Sequence, residues 1–300
     1  MINQMTVSGG NSQAAFEIPS MPPSSAYMTG PEPTPIVRLL RLISGALRPP
    51  RGLRRIAVAL AFGAVCHAIF GLAVVAMIVA MFFGMSESLG TVPAPLSYLV
   101  NALLLIQFPL AHSILLTTRG GKWLLRLAPR EHASTLMTTT YAIVASSQLL
   151  LLFALWTPSG VVWWRAEGGV FWLMCSLYAG AWLLLIKASY DAGAEVQSGA
   201  LGWMSLMAKI KPVFPDMPTG GLFRVIRQPI YVAFALTLWT VPVWTPDQLA
   251  VAIVLTAYCL GAPILKERRF TARYGDRFAA YKARVPYAMP ALHRRSSDDA

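Results

Sequence analysis

Six apolar segments and the lopsided placement of charge between them constrain this chain more than any other feature. The segments cover residues 56–83, 96–116, 136–156, 170–186, 230–243 and 249–265, the last two as a close pair. A span needs about 20 mostly apolar residues. Lys and Arg crowd the gaps before the first segment, between the second and third, between the fourth and fifth, and after the sixth. Of the 25 in the chain, only Arg165 falls elsewhere. Because cytoplasmic loops hold the positive excess, this pattern predicts six spans with both termini cytoplasmic.

That placement also explains the net charge of +12 as a topology signal, so a bilayer is the expected partner and no nucleic acid is expected. Charged residues make up only 13% of the chain, about half the usual share of a soluble domain. The expected fold is all-α: a polytopic integral membrane protein of about six transmembrane helices, with a C-terminal helical hairpin and an amphipathic cytoplasmic tail helix. Residues 1–36, rich in Pro, Ser, Gly and Thr, read as a disordered tail; 37–290 form the transmembrane domain, and 291–300 a second disordered tail. No early basic and apolar pattern suggests a secretory signal peptide.

The last two segments are joined through Thr245, Pro246, Asp247 and Gln248. Thr245 is the expected helix cap, Pro246 suits the first helical position, and Gln248 completes a capping box. At 1.5 Å per residue, 246–267 covers roughly 32 Å and 229–241 only about 20 Å. The unequal arms place Arg227 and Gln228 below the membrane surface, or make the sixth span tilt and project. Beyond Glu267, the aromatic residues Phe270, Tyr274, Phe278 and Tyr281 recur at helical spacing, which predicts an interfacial helix that can also lid a site.

Several chemistries lack their residues here. The glycine pairs do not have the spacing of a phosphate-binding loop, and no Ser, His and Asp set has nucleophile-elbow context. Cys66, Cys175 and Cys259 sit singly in three apolar segments, as buried bystanders rather than metal ligands. Polar groups inside spans are few: His67, Asn101, Gln107, His112, Gln148 and Lys187. His67 reads as an interhelical hydrogen-bonder, whereas His112 lies at the depth of the cluster formed by Arg227 and Glu267. Most carboxylates belong to tails, loops or the distal face. Glu267 remains, with Asp191, Glu195 and Asp216 as outer possibilities.

Arg227-Gln228-Pro229-Ile230-Tyr231, the apolar hairpin, Lys266-Glu267, Tyr274-Gly275, Phe278, Tyr281 and Val285-Pro286 resemble the C-terminal signature of the integral-membrane methyltransferases. That group includes isoprenylcysteine carboxyl methyltransferase and the phospholipid methyltransferases. Gln107-Phe108-Pro109-Leu110-Ala111-His112-Ser113 and Trp156-Thr157-Pro158 narrow the likeness to bacterial methanethiol S-methyltransferases and NnrU-type proteins, over about residues 56–290.

The resemblance implies a bacterial inner-membrane enzyme using S-adenosylmethionine, held at the cytoplasmic end of the last two spans, with a small thiol or other hydrophobic nucleophile as acceptor. Carried onto this sequence, Arg227, Gln228, Pro229, Tyr231, Glu267 and Tyr281 become candidate cofactor-binding residues, and His112 and Gln228 candidate catalytic ones. Gln228 stands where the group carries His, and Lys266 where it carries a first Glu. Gln keeps a hydrogen bond but does not titrate, and Lys266 reverses a charge. A non-catalytic partner subunit or small-ligand carrier on the same scaffold is the alternative; a transporter would call for intramembrane charges and repeated halves, and no inverted repeat is visible.

Overall fold

The computed structural model describes residues 34–290; both expected disordered tails lie largely or wholly outside them, and Pro35, assigned to the first, already opens a helix. The chain is a helical bundle, as its apolar segments require. Among the described residues, five helices are long and apolar enough to cross a membrane: α2 (Leu53–Phe82), α3 (Leu96–Leu115), α5 (Met137–Leu155), α6 (Gly168–Gln197) and α9 (Pro246–Tyr274). Shorter helices join them: α1 (Pro35–Leu47), α4 (Thr118–Arg126), α7 (Ala200–Ala208), α8 (Pro229–Trp239) and α10 (Asp276–Arg284). The protein is an all-α, multi-pass membrane protein.

The fifth expected span needs correction. α8 has 11 residues, about 16 Å of helix, too short for a hydrocarbon core of about 30 Å. Its arm is completed by the extended stretch from Thr240 onward, where β2 (Val243–Trp244) pairs antiparallel with β1 (Trp164–Arg165), Trp164 opposite Trp244. α8 starts late because the backbone N–H groups of Arg227 and Gln228 bond to Pro286 O and Tyr287 O, at 2.9 and 3.1 Å. Pro229 then supplies a first helical residue that needs no donor. The long arm α9 runs past this level to Tyr274.

Thr245 caps α9 as expected, its hydroxyl oxygen accepting from Gln248 N at 2.9 Å. Gln248 does not complete the box. Its side chain donates instead to Leu238 O at 2.7 Å, satisfying a buried carbonyl at the C-terminal end of α8. The aromatic stripe also departs from one interfacial helix. Gly275, at φ 49°, ends α9 and lets α10 fold back, so Phe278 and Tyr281 are buried with Met217 rather than facing headgroups.

A large core joins the spans through Met77, Met81, Phe108, Phe153, Trp156, Leu238 and Leu255. Polar clasps fix their depth. Asn101 donates to Thr157 O at 2.8 Å and accepts from Thr157 N at 2.9 Å, both buried. Replacing Asn101 by Leu is expected to orphan both backbone groups and lower stability by about 2 kcal/mol, measurable as a fall in melting temperature in detergent.

Candidate functional site

Two segments far apart in sequence meet where α8 begins. Gly221, at φ 57°, opens a short 3-10 turn (Gly221–Arg224) whose Leu222 N donates to Asp191 Oδ2 at 2.9 Å. A side chain at Gly221 would collide with that carboxylate, 2.2 Å from where its Cβ would stand. Asp191 is therefore a structural brace for the approach to Arg227.

Arg227 is 8% exposed and Glu267 9%. The guanidinium Nε donates to Glu267 Oε1 at 2.9 Å, and a second nitrogen donates to Val285 O at 2.5 Å and Lys282 O at 3.2 Å. Gln228, 2% exposed, donates through Nε2 to the same Glu267 oxygen at 2.9 Å and accepts from Lys266 Nζ at 3.3 Å. Lys282 stands 3.7 Å from Glu267 Oε2. The two positions that depart from the resemblance, Gln228 and Lys266, are thus bonded to each other. Arg227 and Lys282 both stand against this one carboxylate.

Tyr281 closes the far wall. Its hydroxyl donates to Phe223 O at 2.7 Å, and burial pushes its pKa up to about 12, so it remains a protonated donor at neutral pH. Lys266 Nζ faces three rings, with centroids at 5.4 Å for Phe270, 5.5 Å for Phe223 and 5.9 Å for Tyr231. The crevice between these groups holds about 10 Å³, room for roughly one water. A larger cavity of about 300 Å³ lies elsewhere, between α1, α7 and residues 210–216.

Six residues expected at a site therefore converge: Arg227, Gln228, Glu267 and Tyr281 line the crevice, Tyr231 adds a ring to it, and Pro229 starts the helix that presents them. His112 belongs to a second cluster. Tyr141 Oη lies 2.8 Å from its Nε2, and the rings of Phe108, Tyr141 and Tyr258 surround it at 5.1, 5.3 and 6.2 Å. His67, as expected, serves an interhelical bond, accepting from Trp203 Nε1 at 3.0 Å.

The outer carboxylates are accounted for. Glu195 pairs with Arg38 at 3.2 Å, and Asp216 pairs with Arg277, which ties α10 down. Sequence reasoning missed Phe223, Tyr141 and Tyr258 as wall residues. Tyr258 lies nine residues, two and a half turns, before Glu267 and so on the opposite face of the same helix; neither it nor Phe223 and Tyr141 had a usable signal. Among the described residues no group of three or more His, Cys, Asp or Glu forms a metal site.

Comparison with known proteins now bears on this arrangement. The chain is 28% identical over 202 residues to methanethiol S-methyltransferase 2 of Bradyrhizobium diazoefficiens, covering 67% of this chain and 76% of that one. It is 25% identical over 201 residues to methanethiol S-methyltransferase of Pseudomonas deceptionensis, covering 67% and 75%. Its relatives include methanethiol S-methyltransferases. The resemblance read from the C-terminal residues is borne out. Nurim of Rattus norvegicus is a further relative, 29% identical over 165 residues, covering 52% of this chain and 61% of that one. No family model matches the chain, and no solved structure matches it.

Proposed function

We propose that this protein is an S-adenosylmethionine-dependent methyltransferase of the bacterial inner membrane, with both termini cytoplasmic and a small thiol, methanethiol-like, as acceptor. The observation that carries the reading is the crevice itself. Glu267 is a buried carboxylate in a crevice where three aromatic faces hold the Lys266 ammonium, an anionic and π-rich setting that suits a cation such as a sulfonium, and chains named for this reaction are similar over two thirds of the sequence. When bound, the cofactor supplies an activated methyl group.

The chain's own residues have the remaining tasks. Arg227 and Gln228 hold Glu267 in place, Tyr231 and Phe270 give an apolar wall, and Tyr281 anchors the covering helix through Phe223 O. Because the crevice has space for roughly one water, entry requires α10 and the Lys266 side chain to shift, which afterwards excludes water from the reacting atoms. His112, oriented by Tyr141, is the group to accept the proton that a thiol gives up as its sulfur takes the methyl.

The narrow crevice also favours a second reading, the non-catalytic partner or carrier. Membranes containing the protein, given methanethiol and S-adenosylmethionine, should release dimethyl sulfide into the headspace. His112→Phe should reduce the rate at least tenfold with cofactor affinity retained. No methylated product from methanethiol or from larger hydrophobic thiols would overturn the proposal in favour of the carrier.

A further inference from the structure

We propose that Lys266 is a tethered cation occupying this chain's own sulfonium cage, so that it sets how the crevice discriminates between charged and neutral ligands. The inference rests on the methyl-donor reading above and gives that site a specificity-determining residue.

Three observations converge on it. The ammonium lies 5.4 to 5.9 Å from the centroids of Phe223, Tyr231 and Phe270, inside the roughly 6 Å range at which a ring quadrupole holds a cation. These rings come from three separate places: the 3-10 turn, α8 and α9. Such a three-sided aromatic enclosure is the arrangement that recognises onium groups. Next, Lys266 is bonded at 3.3 Å to Gln228 Oε1, and Gln228 uses its amide nitrogen on Glu267. A glutamine offers an acceptor to the lysine and a donor to the carboxylate at once, which a protonated histidine would not. Gln228 and Lys266 therefore form one coupled pair. Finally, the remaining space is about 10 Å³, so an incoming ligand has to displace the lysine side chain.

Displacement has a charge signature. A sulfonium replaces one cation by another in the cage, and the released ammonium moves outward to where it repels the sulfonium less or meets a ligand carboxylate. A neutral thioether offers the rings no replacement charge. Removing the tethered cation should thus favour the cationic ligand over the neutral one.

Calorimetry on the full chain in detergent, comparing wild type with Lys266→Met and Lys266→Arg, tests this with S-adenosylmethionine, S-adenosylhomocysteine and trimethylsulfonium. Lys266→Met should raise affinity for S-adenosylmethionine by at least about tenfold more than for S-adenosylhomocysteine, and Lys266→Arg should behave as wild type. Equal gains for both ligands, or none, would overturn the proposal. If neither nucleoside binds any variant, the methyl-donor reading falls, and trimethylsulfonium judges the cage: it should bind Lys266→Met and not wild type. A wild-type readout covers the case of a misfolded variant. In protein labelled with ¹³Cε-lysine, one resonance should be shifted upfield by ring currents and vanish in Lys266→Arg; all lysines at the exposed position would contradict the cage.

Discussion

Replacing Arg227 by Ala is expected to destabilise the protein by about 3 kcal/mol and to abolish cofactor binding. The magnitude follows from what is left behind. Breaking a buried ion pair costs about 3–5 kcal/mol because the surviving charge is uncompensated, and Glu267 would lose its 2.9 Å partner while Val285 O and Lys282 O lose their donor. Lys282 remains 3.7 Å from Glu267 and, although its side chain is 58% exposed, compensates part of the surviving charge, so the lower end of the range applies. The diagnostic comparison is the double variant Arg227→Met with Glu267→Met. With no orphaned charge, it should melt higher than Arg227→Ala alone, although it binds no cofactor. If both variants melt together, the ion pair is not what holds the crevice.

Asp247→Ala should lower stability by a similar amount, about 3 kcal/mol, and leave ligand affinity unchanged in the folded fraction. Asp247 occupies the first turn of α9, where a carboxylate also complements the helix dipole. Its Oδ1 accepts from Trp156 Nε1 at 3.1 Å, and its Oδ2 accepts from Ser159 N at 2.9 Å and Ser159 Oγ at 2.5 Å. The buried Trp156 donor stranded by the change costs about 1–3 kcal/mol, and the exposed Ser159 loses the anchor that fixes its turn. Asp247 and Glu267 lie 20 residues apart on one helix, about 30 Å, so the loss is structural alone. Thermal melts paired with calorimetry separate the two effects; a drop in affinity equal to that of Arg227→Ala would show that the distal end shapes the site.

These two variants show which parts of the molecule were legible in the sequence. Long apolar runs announce themselves because a bilayer demands length, and α2, α3, α5, α6 and α9 were found that way. α8 misled for a tertiary reason: its apolar run continues to Val243, but the chain leaves the helix at Thr240 to pair with Arg165 and Trp164. The same limit applies to the site. Arg227, Gln228 and Glu267 could be nominated because charge and amide groups are conspicuous in an apolar chain. That Gln228 would answer Lys266, and that Phe223, Tyr231 and Phe270 would surround the lysine, depends on how the 3-10 turn packs against α9. Gly275 shows the point on a small scale. Its positive φ splits one aromatic period into two helices, turning a stripe expected to face headgroups into a buried cover.

The central claim is that the Arg227, Gln228 and Glu267 crevice binds the methyl donor. Calorimetry of the full chain in detergent with S-adenosylmethionine, run on wild type and Glu267→Gln, tests it most directly. Wild type should bind saturably and one to one, and Glu267→Gln should weaken that binding at least tenfold. No binding heat from wild type at millimolar ligand, or equal affinity in the two proteins, would contradict it.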